Sequence, residues 1–266
     1  MTGALPPQAA ALQGVAIQPD WRAPPGVGAL MSTRLGGVSR PPCDSLNLGA
    51  MVGDDAADVA ENRSRWARAL DARPVWLNQI HGSHVVRIGA DDVGGAPATA
   101  DAAWTDQPGL ACTVLVADCL PVLFASSDGR AVAAAHAGWR GLAGGVLEAT
   151  LGALREGAGV QPSAVIAWLG PCIGPHAFEV GADVLQAFGA LDRADPRFVF
   201  RPRPDGSPRW LVDLQALARA RLVEAGVQRV HASGSCTVED ASRFFSFRRD
   251  GGTRQTGRMA GSVWLR

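Results

Sequence analysis

Three features of the 266-residue sequence predict an α+β fold built on a mixed sheet. Apolar runs of strand length mix with amphipathic helical stretches, without the strict β-α-β alternation of a parallel sheet. Two of these runs flank a Ser-Ser-Asp-Gly segment at 126–129 and read as an antiparallel hairpin. No repeat, charge block or long linker divides the chain, so residues 15–266 read as one catalytic domain behind a short disordered lead-in over 1–14.

The elements follow in order. GVGALMST at 26–33 is a strand that feeds RLGGVSRPPCDSLNLG, a loop rich in Gly and Pro. Asp54 or Asp55 caps a helix over about 56–71, with Val59, Trp66 and Leu70 on its apolar stripe. PVWLNQIHGSHVVRIG reads as two short strands joined at His81-Gly82. Strands at about 102–105 and 110–117 precede the hairpin, and GLAGGVLEATLGALREG after it reads as one helix ending at Gly157 or Gly159. VIAWLGP is a buried strand, CIGPHAFEVG a loop and ADVLQAFGAL a helix. RWLVDLQALARARLVEAG takes a strand into an amphipathic helix, and VQRVHASGSC with RFFSFRRDGGTRQTGRMAGSVWL supplies closing strands.

Composition narrows the function. The 25 basic and 25 acidic residues balance to zero, which implies no basic surface for nucleic acid. No apolar run approaches the roughly 20 residues of a membrane helix, and the N-terminus lacks the pattern of a secretion signal. A cytoplasmic enzyme, monomeric or a small homo-oligomer, is the expectation. The five cysteines are odd in number and widely spaced, so they are expected as free thiols. The chain has no Tyr and every basic residue is Arg, so an Arg carries less functional information here than the rare Asn and His residues do.

The hairpin brings two reactive side chains together. A turn centred on Ser127-Asp128 sets Cys119 opposite His136; one centred on Asp128-Gly129 makes His136 its diagonal neighbour, still on the same face. Pro121 suits a strand edge or bulge beside Cys119. The pair is either a core cysteine with a satisfied core histidine or half of a site. His81 and His84 fall on opposite faces of a strand, so one of them can join, and His81 sits at the break beside Gly82. A His2Cys set is the number of protein ligands a catalytic zinc takes while keeping one position open.

At these residues the sequence resembles the YfiH-type family, formerly described as multicopper polyphenol oxidases or laccase-domain proteins. ADC-PV, AAAHAGWRG and NQ-HG carry the resemblance, with STRLGGVS and SLNLG, ATADAAWT, GPCIGPHAFEVG and FFSFRRDGG…TGRMA in the expected order. The resemblance implies a layered α-β-β-α sandwich, distantly shared with bacterial cysteine deamidase toxins. It implies a purine nucleoside phosphorylase with adenosine deaminase activity, and it places the metal and catalytic trio on His81, Cys119 and His136. Phe178 and Phe247 depart from the family pattern, standing where an aromatic with a polar tip is usual, and RDGGTRQTGRM is longer than the usual turn.

The expected chemistry is phosphorolysis of adenosine, inosine, guanosine or 5′-methylthioadenosine around one Zn2+, with deamination by zinc-activated water at the purine C6. Phosphate is expected at Arg34, at Asn47 in its Gly-flanked loop, and at Gly138 and Gly141 opening the helix after His136. Arg34 can equally serve a surface ion pair, and Asn47 an Asx-turn. Asp118 alternates away from Cys119 unless the strand bulges there, in which case it supports the metal ligands. Arg248 and Arg249 read as structural.

Three other readings stand beside this one. The first is a metal-free Cys119–His136 amidohydrolase or deamidase, including editing of peptidoglycan precursors. The second is adventitious polyphenol oxidation by a single Cu2+ on the same trio; five histidines cannot furnish a trinuclear copper cluster as well. The third is a structural zinc module, which requires a fourth ligand.

Overall fold

The computed structural model describes residues 12, 14–191, 195–252 and 255–266. Of the lead-in over 1–14, Leu12 and Gly14 alone fall within them, and Leu12 is buried. The chain runs through β1 (Val27–Met31), α1 (Ala56–Leu70), β2 (Arg73–Val75), β3 (Leu77–Asn78), β4 (Val85–Arg87), β5 (Ala98–Thr99), β6 (Ala102–Thr105) and β7 (Leu110–Val116). The hairpin follows as β8 (Leu120–Ser126) and β9 (Val132–Ala137), then α2 (Trp139–Ala143), α3 (Val146–Ala158) and β10 (Val165–Leu169). The remainder is β11 (Glu179–Val180), α4 (Ala182–Ala187), β12 (Phe198–Phe200), β13 (Trp210–Val212), α5 (Leu214–Glu224), β14 (Arg229–Ala232) and β15 (Met259–Leu265).

Two mixed sheets form the centre. One has the order β1-β15-β7-β2, antiparallel except for the parallel edge strand β2, and the other β14-β10-β8-β9-β6-β4, antiparallel inside with parallel strands at both edges. The period-2 alternation of the strands decides what lies on each face. Cys112, Val114 and Val116 of β7 meet Leu123, Ala125, Val132 and Ala134 of β8 and β9 between the sheets. The alternate residues Val122, Phe124, Ala133 and Ala135 face outward onto α3 and α5, through Leu147, Leu151, Leu217 and Leu222. On the far side of the smaller sheet, Ala111, Ala260 and Trp264 pack against Trp66 and Leu70 of α1. The layers are therefore α-β-β-α, as the resemblance implies.

Two buried polar contacts lie beneath α1. Trp66 Nε1 donates to Ser262 Oγ at 3.1 Å, and Ser262 and Thr113 share a hydroxyl hydrogen bond at 2.8 Å beneath α1. Asp55, the helix cap, accepts from the backbone of Ala57 and Asp58.

The structure corrects several element boundaries. The helix expected after the hairpin is two helices, α2 and α3, because Gly145 adopts φ +89° and breaks the run; α3 then ends on the left-handed Gly159. PVWLNQIHGSHVVRIG holds three short strands, with His81-Gly82 in the turn before the last. CIGPHAFEVG ends in β11, and RFFSF is a turn segment whose Phe244 and Phe245 fill the space between the sheets. Aromatic content there reflects burial, not strand pairing.

Helix α3 offers a test of the packing. A Cβ on Gly152 meets nothing within 4 Å, whereas one on Gly157 stands 2.1 Å from the Trp104 ring. Gly152→Ala is expected to stabilise by about 0.5–1 kcal/mol through helix propensity. Gly157→Ala is expected to destabilise by about 1–3 kcal/mol through overpacking. Urea midpoints at unchanged slope give the two signs directly.

Candidate metal centre

The hairpin register is Leu120↔Ala137 and Pro121↔His136, which corresponds to a turn centred on Asp128-Gly129. Cys119 therefore lies one step beyond the ladder, beside Gly138, with His136 diagonal to it. The side chain of His136 takes the same face as Val132 and Ala134, so it points between the two sheets. Cys119 lies where the chain leaves β7 in one sheet and enters β8 in the other. The crossing is made by Asp118 in the left-handed region, φ +88°.

His81 reaches the pair from the loop before β4. Its backbone is also left-handed, φ +63°, a conformation that costs a non-glycine residue on the order of 1 kcal/mol. Asp101, fully buried just ahead of β6, holds it there. The Asp101 carboxylate accepts from the N–H groups of Ile80, His81 and Gly82 at 3.2, 2.9 and 2.6 Å. The same carboxylate accepts from His136 Nδ1 at 2.8 Å, and the Asp101 carbonyl accepts from the His136 N–H at 2.7 Å. One buried residue thus places both histidines. Sequence reasoning passed over it inside ATADAAWT; its acidic character in an otherwise apolar strand entry was the available signal.

The resulting group is tight. Cys119 Sγ lies 3.7 Å from His81 Nε2, the two imidazole rings meet edge-on at 4.8 Å, and the ligand atoms all lie within 4.8 Å of one another. Donors around tetrahedral zinc stand about 3.3–3.8 Å apart given Zn–N and Zn–S bond lengths. With Nδ1 of His136 tied to Asp101, its Nε2 is left for an ion, the usual arrangement of a metal-binding histidine. The residues fit a metal with two nitrogen donors and one sulfur donor.

The electrostatics agree with the donor chemistry. Burial pushes the Cys119 thiol up, but the His136 and His81 imidazoles outweigh it and bring the group down to about 6. Burial dominates at Cys112, over the opposing backbone hydrogen bonds, and pushes it well above the ordinary thiol. Burial disfavours the charged His136 ring as well, yet the Cys119 thiolate and the Asp101 carboxylate raise it. Burial likewise opposes ionisation of Asp101, and the His136 and Gly82 hydrogen bonds hold it below the usual carboxylate range.

All three side chains line a cavity of about 770 Å³, with Trp76, Trp139, Phe178 and Phe247 among its walls. Gly138 lines it too, but its part is steric. A Cβ there would stand 2.9 Å from Cys119 Sγ and 3.0 Å from the His81 ring. Gly141 is buried away from the cavity, where a Cβ would meet the Gly82 carbonyl at 2.8 Å. His84 is exposed and outside the group.

Of the other expected positions, Asp118 lines the cavity, whereas Arg34 and Asn47 do not. Arg34 is spent on Asp44, whose carbonyl and carboxylate accept from it at 2.9 and 3.1 Å, and on the Ala241 carbonyl; it stacks on Phe245 away from the cavity. Asn47 makes the Asx-turn, its Oδ1 accepting from Gly49 N–H at 2.9 Å, and does not itself line the cavity. Asp118 breaks the strand as a supporting role requires, yet its carboxylate accepts from Thr237 Oγ1 at 2.5 Å and Arg248 N–H at 2.6 Å. It staples those two segments to the cavity wall. Arg249 is structural, donating to the carbonyls of Thr237 and Phe244, whereas Arg248 lines the cavity.

Residues 28–266 match the family described as multi-copper polyphenol oxidoreductase laccase. The chain belongs to this family. It is 50% identical to a purine nucleoside phosphorylase of Pseudomonas aeruginosa over 94% of this chain and 98% of that one. It is 47% identical to the purine nucleoside phosphorylase YfiH of Escherichia coli K12, again over 94% and 98%. Among solved structures, a Neisseria meningitidis protein superposes with TM-score 0.85 at 46% identity, covering 94% of this chain and 99% of that one. YfiH of Bacillus licheniformis superposes at 0.83 with 31% identity, over 90% and 93%. Among the described residues His81, Cys119 and His136 form the one group of three or more donors that could hold a metal ion, and no second, histidine-rich cluster lies among those residues. No described helix is long and apolar enough to cross a membrane.

Two measurements check the centre. In metal-free protein, alkylation of Cys119 is expected to rise through a midpoint near pH 6, against about 8.5 for an ordinary thiol. Cys112 and Cys172 stay unmodified in the same mass-spectrometric time course. Asp101→Asn replaces an acceptor of three backbone N–H groups by an amide, and is expected to weaken zinc binding about 10–100-fold in chelator competition.

Proposed function

We propose that this chain is a zinc-dependent purine nucleoside phosphorylase that also deaminates adenosine. The observation that carries the reading is the His81–Cys119–His136 group opening onto a cavity walled by aromatic rings. The curated relatives at 50% and 47% identity, named as purine nucleoside phosphorylases, support it. Adenosine, inosine, guanosine and 5′-methylthioadenosine are the substrates in view. Phosphorolysis breaks the bond from the sugar C1′ to the purine N9 and forms one from C1′ to a phosphate oxygen, giving free base and a sugar 1-phosphate. Deamination forms a bond from C6 to a water oxygen and breaks the bond from C6 to the amino nitrogen, which leaves as ammonia.

His81, Cys119 and His136 would hold the ion, and when bound it supplies Lewis acidity at the position these three leave open. The protein supplies the rest. Asp101 fixes the His136 ring through Nδ1 and the His81 loop through three N–H groups. Trp76, Trp139, Phe178 and Phe247 offer flat apolar faces for a purine. Phe178 and Phe247 do so without a hydroxyl, so they bind the base by stacking and not by hydrogen bonding. The same cavity displaces water from the sugar.

A second reading rests on the lowered Cys119 thiol beside His136, the signature of a cysteine nucleophile with its base. The two are separated by chelation. Purified protein incubated with adenosine or inosine is expected to release free base only when phosphate is present, to lose at least about 90% of that activity with a chelator, and to regain it with zinc. Absence of free base under every condition contradicts the phosphorylase. Turnover that survives chelation but ends on alkylation of Cys119 favours the hydrolase.

A further inference from the structure

Two half-buried arginines line the cavity without a carboxylate ion-pair partner among the described residues. Arg34, Arg87 and Arg221 each pair with a carboxylate. Arg63 and Arg258, which line the cavity, have no carboxylate within 4.0 Å among the described residues. Burial depresses the ionisation of both, the cost of holding an unpaired guanidinium out of water.

Both side chains are aimed by one loop. Arg63 Nε donates to the Leu48 carbonyl at 2.9 Å, and its guanidinium stacks over Trp76 at 4.3 Å. The Leu48 N–H donates to the Arg258 carbonyl at 3.0 Å. Asn47 Oδ1 accepts from the Arg258 N–H at 2.9 Å as well as from Gly49. A Cβ on Gly49 would stand 2.7 Å from Arg258 Cγ, so the glycine admits that side chain. Arg63 and Arg258 line the same cavity as His81, Cys119 and His136. Each guanidinium has five N–H donors. Backbone acceptors take Nε of Arg63 and Nη1 of Arg258.

We propose that Arg63 and Arg258, aimed by the Asn47–Gly49 loop, form an oxyanion subsite that takes inorganic phosphate beside the His81–Cys119–His136 group. The proposal rests on the phosphorylase reading for its ligand, and it moves the phosphate from Arg34 to two arginines that retain free donors. Planar guanidinium forks match phosphate oxygens in pairs. Arg63 is held rigid by its stacking and its Leu48 bond, so little side-chain entropy is lost when phosphate arrives. Asn47, a rare residue type in this chain, is then a positioning residue for the anion.

The test measures phosphate binding apart from turnover. Phosphate titrated calorimetrically into zinc-loaded, nucleoside-free protein is expected to bind, and R63Q and R258Q to weaken it about tenfold or more. In phosphate-dependent assays the same variants should raise the phosphate KM by a similar factor with the nucleoside KM nearly unchanged; R63K and R258K should recover part of the loss. In the wild-type protein, phosphate should slow phenylglyoxal modification of Arg63 and Arg258, read by peptide mass spectrometry, which holds even if a variant does not fold. Phosphate binding that survives in both glutamine variants, or modification that phosphate leaves unaltered, overturns the subsite. Phosphate bound and lost in the variants, without turnover of any nucleoside, keeps the subsite and sinks the phosphorylase.

Discussion

The carboxylate of Asp101 joins two parts of the chain that otherwise have no reason to meet. It sits fully buried at the entry to β6, where an ionised group costs several kcal/mol unless its oxygens are satisfied. Three consecutive N–H groups from 80–82 and the His136 ring satisfy them. Backbone strain at His81 is thereby tolerated, and the imidazole is delivered to Cys119 at a separation near that of two ligands on one ion. Without this acceptor the loop would relax and the His136 ring would lose its orientation.

The sandwich makes that arrangement available. His136 and Cys119 occupy the end of the space between two sheets, on the faces that elsewhere bury Val132, Ala134 and Leu123. The apolar interior holds the imidazole of His136 nearly out of water, which strengthens every charge it meets. The left-handed turn at Asp118 lets the chain cross between sheets within a few residues, and its carboxylate fastens the segments at Thr237 and Arg248 around the opening. The cavity that holds the three donors thus grows out of the edge of the core.

Much of this was legible in the sequence. Alternation in the strands and the hairpin gave an α+β mixed sheet and brought Cys119 to His136, while the layers were implied by the family resemblance. The two hairpin registers were both open, and the choice between them depends on the paired backbone, which side-chain pattern alone does not report. Asp101 was hidden because its partners lie some 20 to 35 positions away. The arginines were harder still. In a chain whose basic residues are all Arg, nothing in composition separates Arg34, neutralised by Asp44, from Arg63 and Arg258, which have no carboxylate beside them among the described residues. Asn47 was noticed for its rarity, and its part is indirect: it shapes the loop that aims the arginines. Gly138 shows a part that composition does not report, the space it leaves to Cys119.

The central claim is that one ion is held by two imidazoles and one thiolate placed by Asp101. X-ray absorption at the zinc edge, on protein reconstituted with one equivalent of zinc, tests it most directly. The account predicts one sulfur scatterer at about 2.3 Å and two imidazole nitrogens at about 2.0–2.1 Å, with the sulfur shell lost in C119S. A spectrum without sulfur, or with a sulfur shell that persists in C119S, would contradict it.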